Sequence, residues 1–122
     1  MVFFEWLNPD FQFSDGRGSL VQLVHEGYKQ INVVTTRAGV TRGGHYHKIS
    51  TEAFFVVSGQ VAVEFRKGAA MRCETFHEGE FFRIPPLVSH TMHFLKDTVL
   101  VAMYDHAVDL SDGTKDIYAE GE

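Results

Sequence analysis

An all-β barrel or sandwich is the fold class this sequence predicts, and three observations predict it. Short runs rich in Val, Ile, Phe and Thr follow one another from Leu20 to Tyr104. Gly, Pro or Asp separates them, as turns between strands require, and no stretch carries a helical period. So many short strands can bury their apolar faces only by closing on one another.

Taken in order, residues 1–17 mix aromatic and polar positions and suit an edge strand or an arm. Leu20–Val24 and Ile31–Thr36 are the first apolar runs, with Gly27 between them. Ala53–Val57 leads into Ser58-Gly59, which predicts a hairpin turn. Beyond it Val61, Val63 and Phe65 alternate with Ala62, Glu64 and Arg66, so one face of that strand is apolar and the other mixed. Met71–Phe76, Phe81–Ile84 and Thr98–Tyr104 complete the series, punctuated by Gly68, Gly79 and Pro85-Pro86. The last stretch, DLSDGTKDIYAEGE, is polar enough to be a surface tail.

A length of 122 residues predicts one domain, residues 1–122, with 44% hydrophobic and 22% charged residues in the balance of a soluble globular protein. The net charge of −5 and the absence of a long basic run argue against nucleic-acid or membrane partners. Cys73 is the single cysteine, so neither an intrachain disulfide nor a Cys-rich zinc site can form, and the expected compartment is the reducing cytoplasm. The N-terminus carries Glu5 and Asp10 and lacks a basic start followed by a long apolar run, unlike a signal peptide.

The chemistry is concentrated between Gly39 and Gly59. His45 and His47 stand at i and i+2, which on a strand project to one face, and Glu52 follows five residues later. A turn through Lys48–Thr51 would bring Glu52 to the same point. Two imidazoles and a carboxylate are ligands for a divalent metal, zinc first and nickel, manganese or iron otherwise. His90 is the candidate fourth ligand, because it follows Pro85-Pro86 and enters another β-rich run.

These spacings resemble the cupin family, whose fold is a double-stranded β-helix, a jelly-roll-like barrel. Gly39, His45, His47, Glu52 and Gly59 match its first motif without departure. Gly79, Pro85 and His90 match its second, where Leu87 replaces the usual glycine and Phe94 the usual asparagine.

Asp15, Arg17, Gly18, Gln30, Asn32, Arg42, Gly43 and His45 further resemble the opening of the deoxysugar-nucleotide epimerases. Arg42 to Lys48 resembles the R-G-x-H-x-H-K segment of sugar 3,4-ketoisomerases and of capsular-polysaccharide cupin domains. The resemblance implies an epimerase or isomerase for a nucleotide-linked 4-keto-deoxysugar in polysaccharide biosynthesis, working as a homodimer. It implies Arg42 and His45 beside the sugar, Tyr104 as the acid, and Arg17 on the phosphates. Lys48, next to the metal motif, is a further phosphate candidate, although as the neighbour of His47 it points to the other face of a regular strand. His45 cannot be base and ligand at once, and His93, His106 and Tyr46 are the substitutes for moving a proton. A different metal-dependent cupin enzyme, such as an iron dioxygenase, or a noncatalytic carbohydrate-binding cupin would use the same ligands.

Overall fold

Alternating burial along the strands builds the molecule. The computed structural model describes residues 2–121, and its strands are β1 (Glu5–Trp6), β2 (Phe11–Asp15), β3 (Gly18–Gln22), β4 (Gln30–Thr36), β5 (Thr41–Tyr46), β6 (Glu52–Ser58), β7 (Gln60–Lys67), β8 (Ala70–His77), β9 (Phe81–Ile84), β10 (Ser89–Phe94), β11 (Thr98–Tyr104) and β12 (Tyr118–Ala119). One antiparallel sheet has the order β1-β9-β6-β11-β4, the other β12-β5-β10-β7-β8, and β2 pairs only with β3. No helix of the described residues is long and apolar enough to cross a membrane.

The core lies between the two five-stranded sheets. Phe54, Val56 and Leu100 from the first meet Val61, Val63, Phe65, Met92 and Phe94 from the second. Val61, Val63 and Phe65 are wholly buried, as their alternation predicts, and each contributes about 1.5–3 kcal/mol by leaving water. Phe76 stacks on Phe82 with ring centroids 3.6 Å apart. The β6–β7 hairpin turns at Gly59, whose φ of 100° suits glycine.

Residues 7–28 serve a different purpose. Leu7, Leu23, Val24 and Tyr28 pack on Ala53, Phe81 and Met103, covering part of the first sheet's outer face. The β2–β3 hairpin is exposed along its full length.

The C-terminal stretch lies mostly at the surface, as its composition predicts, but it is tied to the barrel. Val108 is buried and Asp116 has no exposed surface, Asp109 bridges to Lys115, and β12 pairs with β5, Tyr118 opposite Tyr46 and Ala119 opposite His45. Its buried Asp116 is accommodated because its carboxylate is fully hydrogen-bonded, an anchor that composition alone does not reveal.

Candidate metal centre

In the second sheet β5 and β10 run antiparallel, with His90 opposite His45. Beyond that pair the register slips, so that Thr91 faces Gly43 and Gly44 is the additional residue of a β-bulge. Gly43 and Gly44 have φ of 99° and 78°, and a Cβ on Gly43 would stand 2.7 Å from the His90 carbonyl oxygen. The bulge re-aims the strand and leaves the His45 and His90 ring centroids 4.7 Å apart. His47 follows the end of β5, and Glu52 opens β6 in the facing sheet. One donor atom from each of His45, His47, Glu52 and His90 lies within 4.8 Å of all the others.

The hydrogen bonds around the four residues set where the protons sit. His47 Nδ1–H donates to the Asp116 carbonyl at 2.5 Å, leaving Nε2 to face Glu52 Oε1 at 3.0 Å. His90 Nδ1–H donates to the Val88 carbonyl at 3.3 Å. Its Nε2 is buried without a hydrogen-bond partner, since the 3.5 Å approach to Glu52 Oε1 lacks hydrogen-bond geometry. Imidazole lone pairs and a carboxylate thus converge on one buried point, an arrangement that attracts a cation. A proton partly serves: burial would lower the His47 pKa, but the hydrogen bond and charge of Glu52 and then the Asp116 contact raise it. Burial likewise opposes ionisation of Glu52, yet the hydrogen bond from His47 and the close approach of the His90 ring outweigh it and hold the carboxyl at about 2. Burial, then the neighbouring His90, lowers His45 to about 4, so its ring is neutral at pH 7. The orphaned His90 nitrogen and the borderline donor set fit zinc, nickel, manganese or iron.

The cluster closes one wall of a cavity of about 250 Å³. Arg42, His45, Glu52, His90 and Tyr104 are its ionisable lining, and Val34, Phe54, Met92, Phe94, Leu100, Ala102 and Ile117 its apolar lining. Arg42 is held by Nε donating to Thr36 Oγ1 at 2.9 Å. Tyr104 stands opposite Glu52 in the β11–β6 pairing, and burial first, then the Glu52 charge, pushes its hydroxyl pKa far up.

Residues 13–115 match the polysaccharide biosynthesis C-terminal domain family. The chain belongs to that family. It is 43% identical over 54 residues to UDP-2-acetamido-2,6-beta-L-arabino-hexul-4-ose reductase of Pseudomonas aeruginosa, a match covering 43% of this chain and 14% of the reductase. Its fold is that of the sugar 3,4-ketoisomerase QdtA of Thermoanaerobacterium thermosaccharolyticum, solved with TDP-4-keto-6-deoxyglucose: TM-score 0.80 at 18% identity, over 97% of this chain and 88% of that one. The capsular polysaccharide assembling protein CapF of Staphylococcus aureus superposes with TM-score 0.67 at 25% identity, over 89% of this chain and 33% of CapF. The expected cupin barrel is therefore the fold of this polysaccharide biosynthesis C-terminal domain.

Within this family member the barrel gathers Arg42, His45, His47, Glu52, His90 and Tyr104, but not the two residues expected on phosphates. Arg17 sits at the exposed β2–β3 turn, its guanidinium 2.7 Å from Asp15. Lys48 Nζ lies 4.1 Å from the centre of the Tyr118 ring, outside the cavity lining. The substitute proton carriers are also outside that lining: His93 bonds Thr41 and Glu64, His106 is exposed beside Asp105, and Tyr46 stacks on Tyr118. Sequence reasoning missed Asp116 and Ile117. The one signal for them is the apolar pair Ile117-Tyr118 inside an otherwise polar run.

Proposed function

We propose that this chain is a metal-dependent cupin enzyme, an epimerase or isomerase for a nucleotide-linked 4-keto-deoxysugar in cell-surface polysaccharide biosynthesis. The observation that carries the reading is one cavity whose wall carries Arg42, Tyr104 and three members, His45, Glu52 and His90, of a three-histidine, one-glutamate set. The names of the relatives support the substrate class, since QdtA was solved with a TDP-linked 4-keto sugar and the reductase is named for a UDP-linked 4-ulose. A second copy of the chain and a cytoplasmic setting belong to the same proposal.

Either reaction breaks a carbon–hydrogen bond beside the keto group, sends the electron pair to the carbonyl oxygen, and returns a proton to the opposite face or to the neighbouring carbon. A divalent ion held by His45, His47, Glu52 and His90 would supply a Lewis acid for the enolate oxygen. Arg42 places a fixed positive charge on the cavity wall, where it orients sugar or phosphate. With His45 a ligand, Tyr104 is the titratable lining residue left to return the proton, its raised pKa keeping it protonated and able to donate at neutral pH, while water admitted to the cavity takes the proton that leaves carbon. Arg17 and Lys48 are assigned to the diphosphate, which would remain outside the cavity.

The test is incubation in deuterated water with TDP- and UDP-linked 4-keto-6-deoxysugars, followed by NMR and paired with metal analysis of gently purified protein. One metal per chain, lost in His47→Ala, and exchange of a ring proton are expected. Tyr104→Phe should slow exchange by about 10²–10⁴-fold with nearly unchanged binding. Binding without exchange by metal-loaded protein would turn the reading to a noncatalytic carbohydrate-binding cupin. Bound iron with oxygen-dependent turnover would turn it to a dioxygenase.

A further inference from the structure

Asp116 is a fully buried carboxylate in a segment that composition assigns to the surface. Its Oδ1 accepts the Lys48 amide at 2.8 Å, and its Oδ2 accepts the Ile49 and Ser50 amides at 3.1 and 2.9 Å. These three amides belong to the loop that carries the chain from His47 to Glu52, between two residues of the candidate metal set. The same residue's carbonyl receives the His47 Nδ1–H. One residue therefore shapes the loop through its side chain and orients the imidazole through its main chain.

The segment around Asp116 is itself anchored. The Asp116 amide donates to the Val108 carbonyl at 2.9 Å, the Val108 amide to Gln30 Oε1 at 3.0 Å, and the Glu120 amide to the Gly44 carbonyl at 2.8 Å, on the bulge beside His45. Ile117, the next residue, lines the cavity.

We propose that Asp116 is a positioning residue of the metal centre, through which the C-terminal segment 108–120 holds His47 with Nε2 turned toward Glu52. A carboxylate gathering three amides closes the loop in one conformation, and the carbonyl fixes the tautomer that leaves Nε2 its lone pair. The segment is then part of the site although it offers no ligand atom. This inference deepens the metal reading and rests on it.

The experiment compares full-length wild type with Asp116→Asn, which keeps the shape but replaces an acceptor oxygen with a donor facing amides. Zinc affinity is measured by chelator competition, and the His47 tautomer by nitrogen-15 NMR of the metal-free proteins at alkaline pH, where the imidazole carries a single proton. Zinc affinity should fall by about 10–100-fold, the usual effect of losing a group that orients a ligand, and the His47 signal should move from a pure Nδ1–H form to a mixture. Val61→Ala, a buried change on β7 outside the site, should lower thermal stability and leave both readouts unchanged. If Asp116→Asn does not fold, Asp116→Ser replaces it, retaining one shorter acceptor. Zinc affinity within threefold of wild type, together with an unchanged tautomer, overturns the proposal. If wild type binds no metal, the metal reading fails by itself, and the tautomer alone decides whether Asp116 positions His47.

Discussion

Leu87 stands where the second cupin motif has glycine, and its φ is 72°, the one positive value among the described non-glycine residues. A side chain in this left-handed region costs about 1–2 kcal/mol. The conformation persists because the Leu87 amide donates to the His47 carbonyl at 2.7 Å, joining the Pro85-Pro86 turn to the metal loop. The side chain is half-exposed, so its removal forfeits little packing. Leu87→Gly relieves the strain but makes the unfolded chain more flexible, which offsets about 0.5–1 kcal/mol. A net gain of about 0.5–1 kcal/mol in urea denaturation is the expected outcome, and a loss of stability would show that the turn is not strained. The motif departure was visible in the sequence. That the backbone kept the glycine conformation was not, because a hydrogen bond to the distant metal loop imposes it.

At the scale of elements, the bulge in β5 decides whether three histidines meet. His45 and His47 were legible as a same-face pair, but His47 lies beyond the end of β5 and Gly44 interrupts the ladder. Pairing is set between strands, so one strand's sequence does not reveal the slip. Gly43→Ala would press a methyl against the His90 carbonyl oxygen in a backbone region unsuited to alanine. The expected cost is on the order of 2–4 kcal/mol in denaturant unfolding, with weaker zinc binding by the folded protein. A change below about 0.5 kcal/mol would mean that the two strands separate easily and that the bulge does not hold the site.

Over the whole molecule, apolar surface remains uncovered on the outer face of the first sheet and on the hairpin beside it. Ile31 and Val33 on β4 are 59% and 69% exposed, and Phe11, Phe13 and Leu20 about half. β4 is also an edge strand, whose free hydrogen-bonding groups invite another strand. These features support the proposed homodimer. Val33→Lys should shift the protein toward monomer in light scattering at micromolar concentration, whereas an unaltered dimer would place the interface elsewhere. The sequence by itself determined the all-β class, the strand runs, the buried stripe of β7 and the four candidate ligands, because alternation and motif spacing are local properties of a chain. Only the tertiary structure decided that the C-terminal segment is built into the centre, that Arg17 and Lys48 lie outside the cavity, and that Tyr104 stands opposite Glu52 on the cavity lining. Those facts depend on contacts between residues far apart in sequence: the 69 positions from His47 to Asp116 are crossed by a single imidazole N–H, and no local pattern records it.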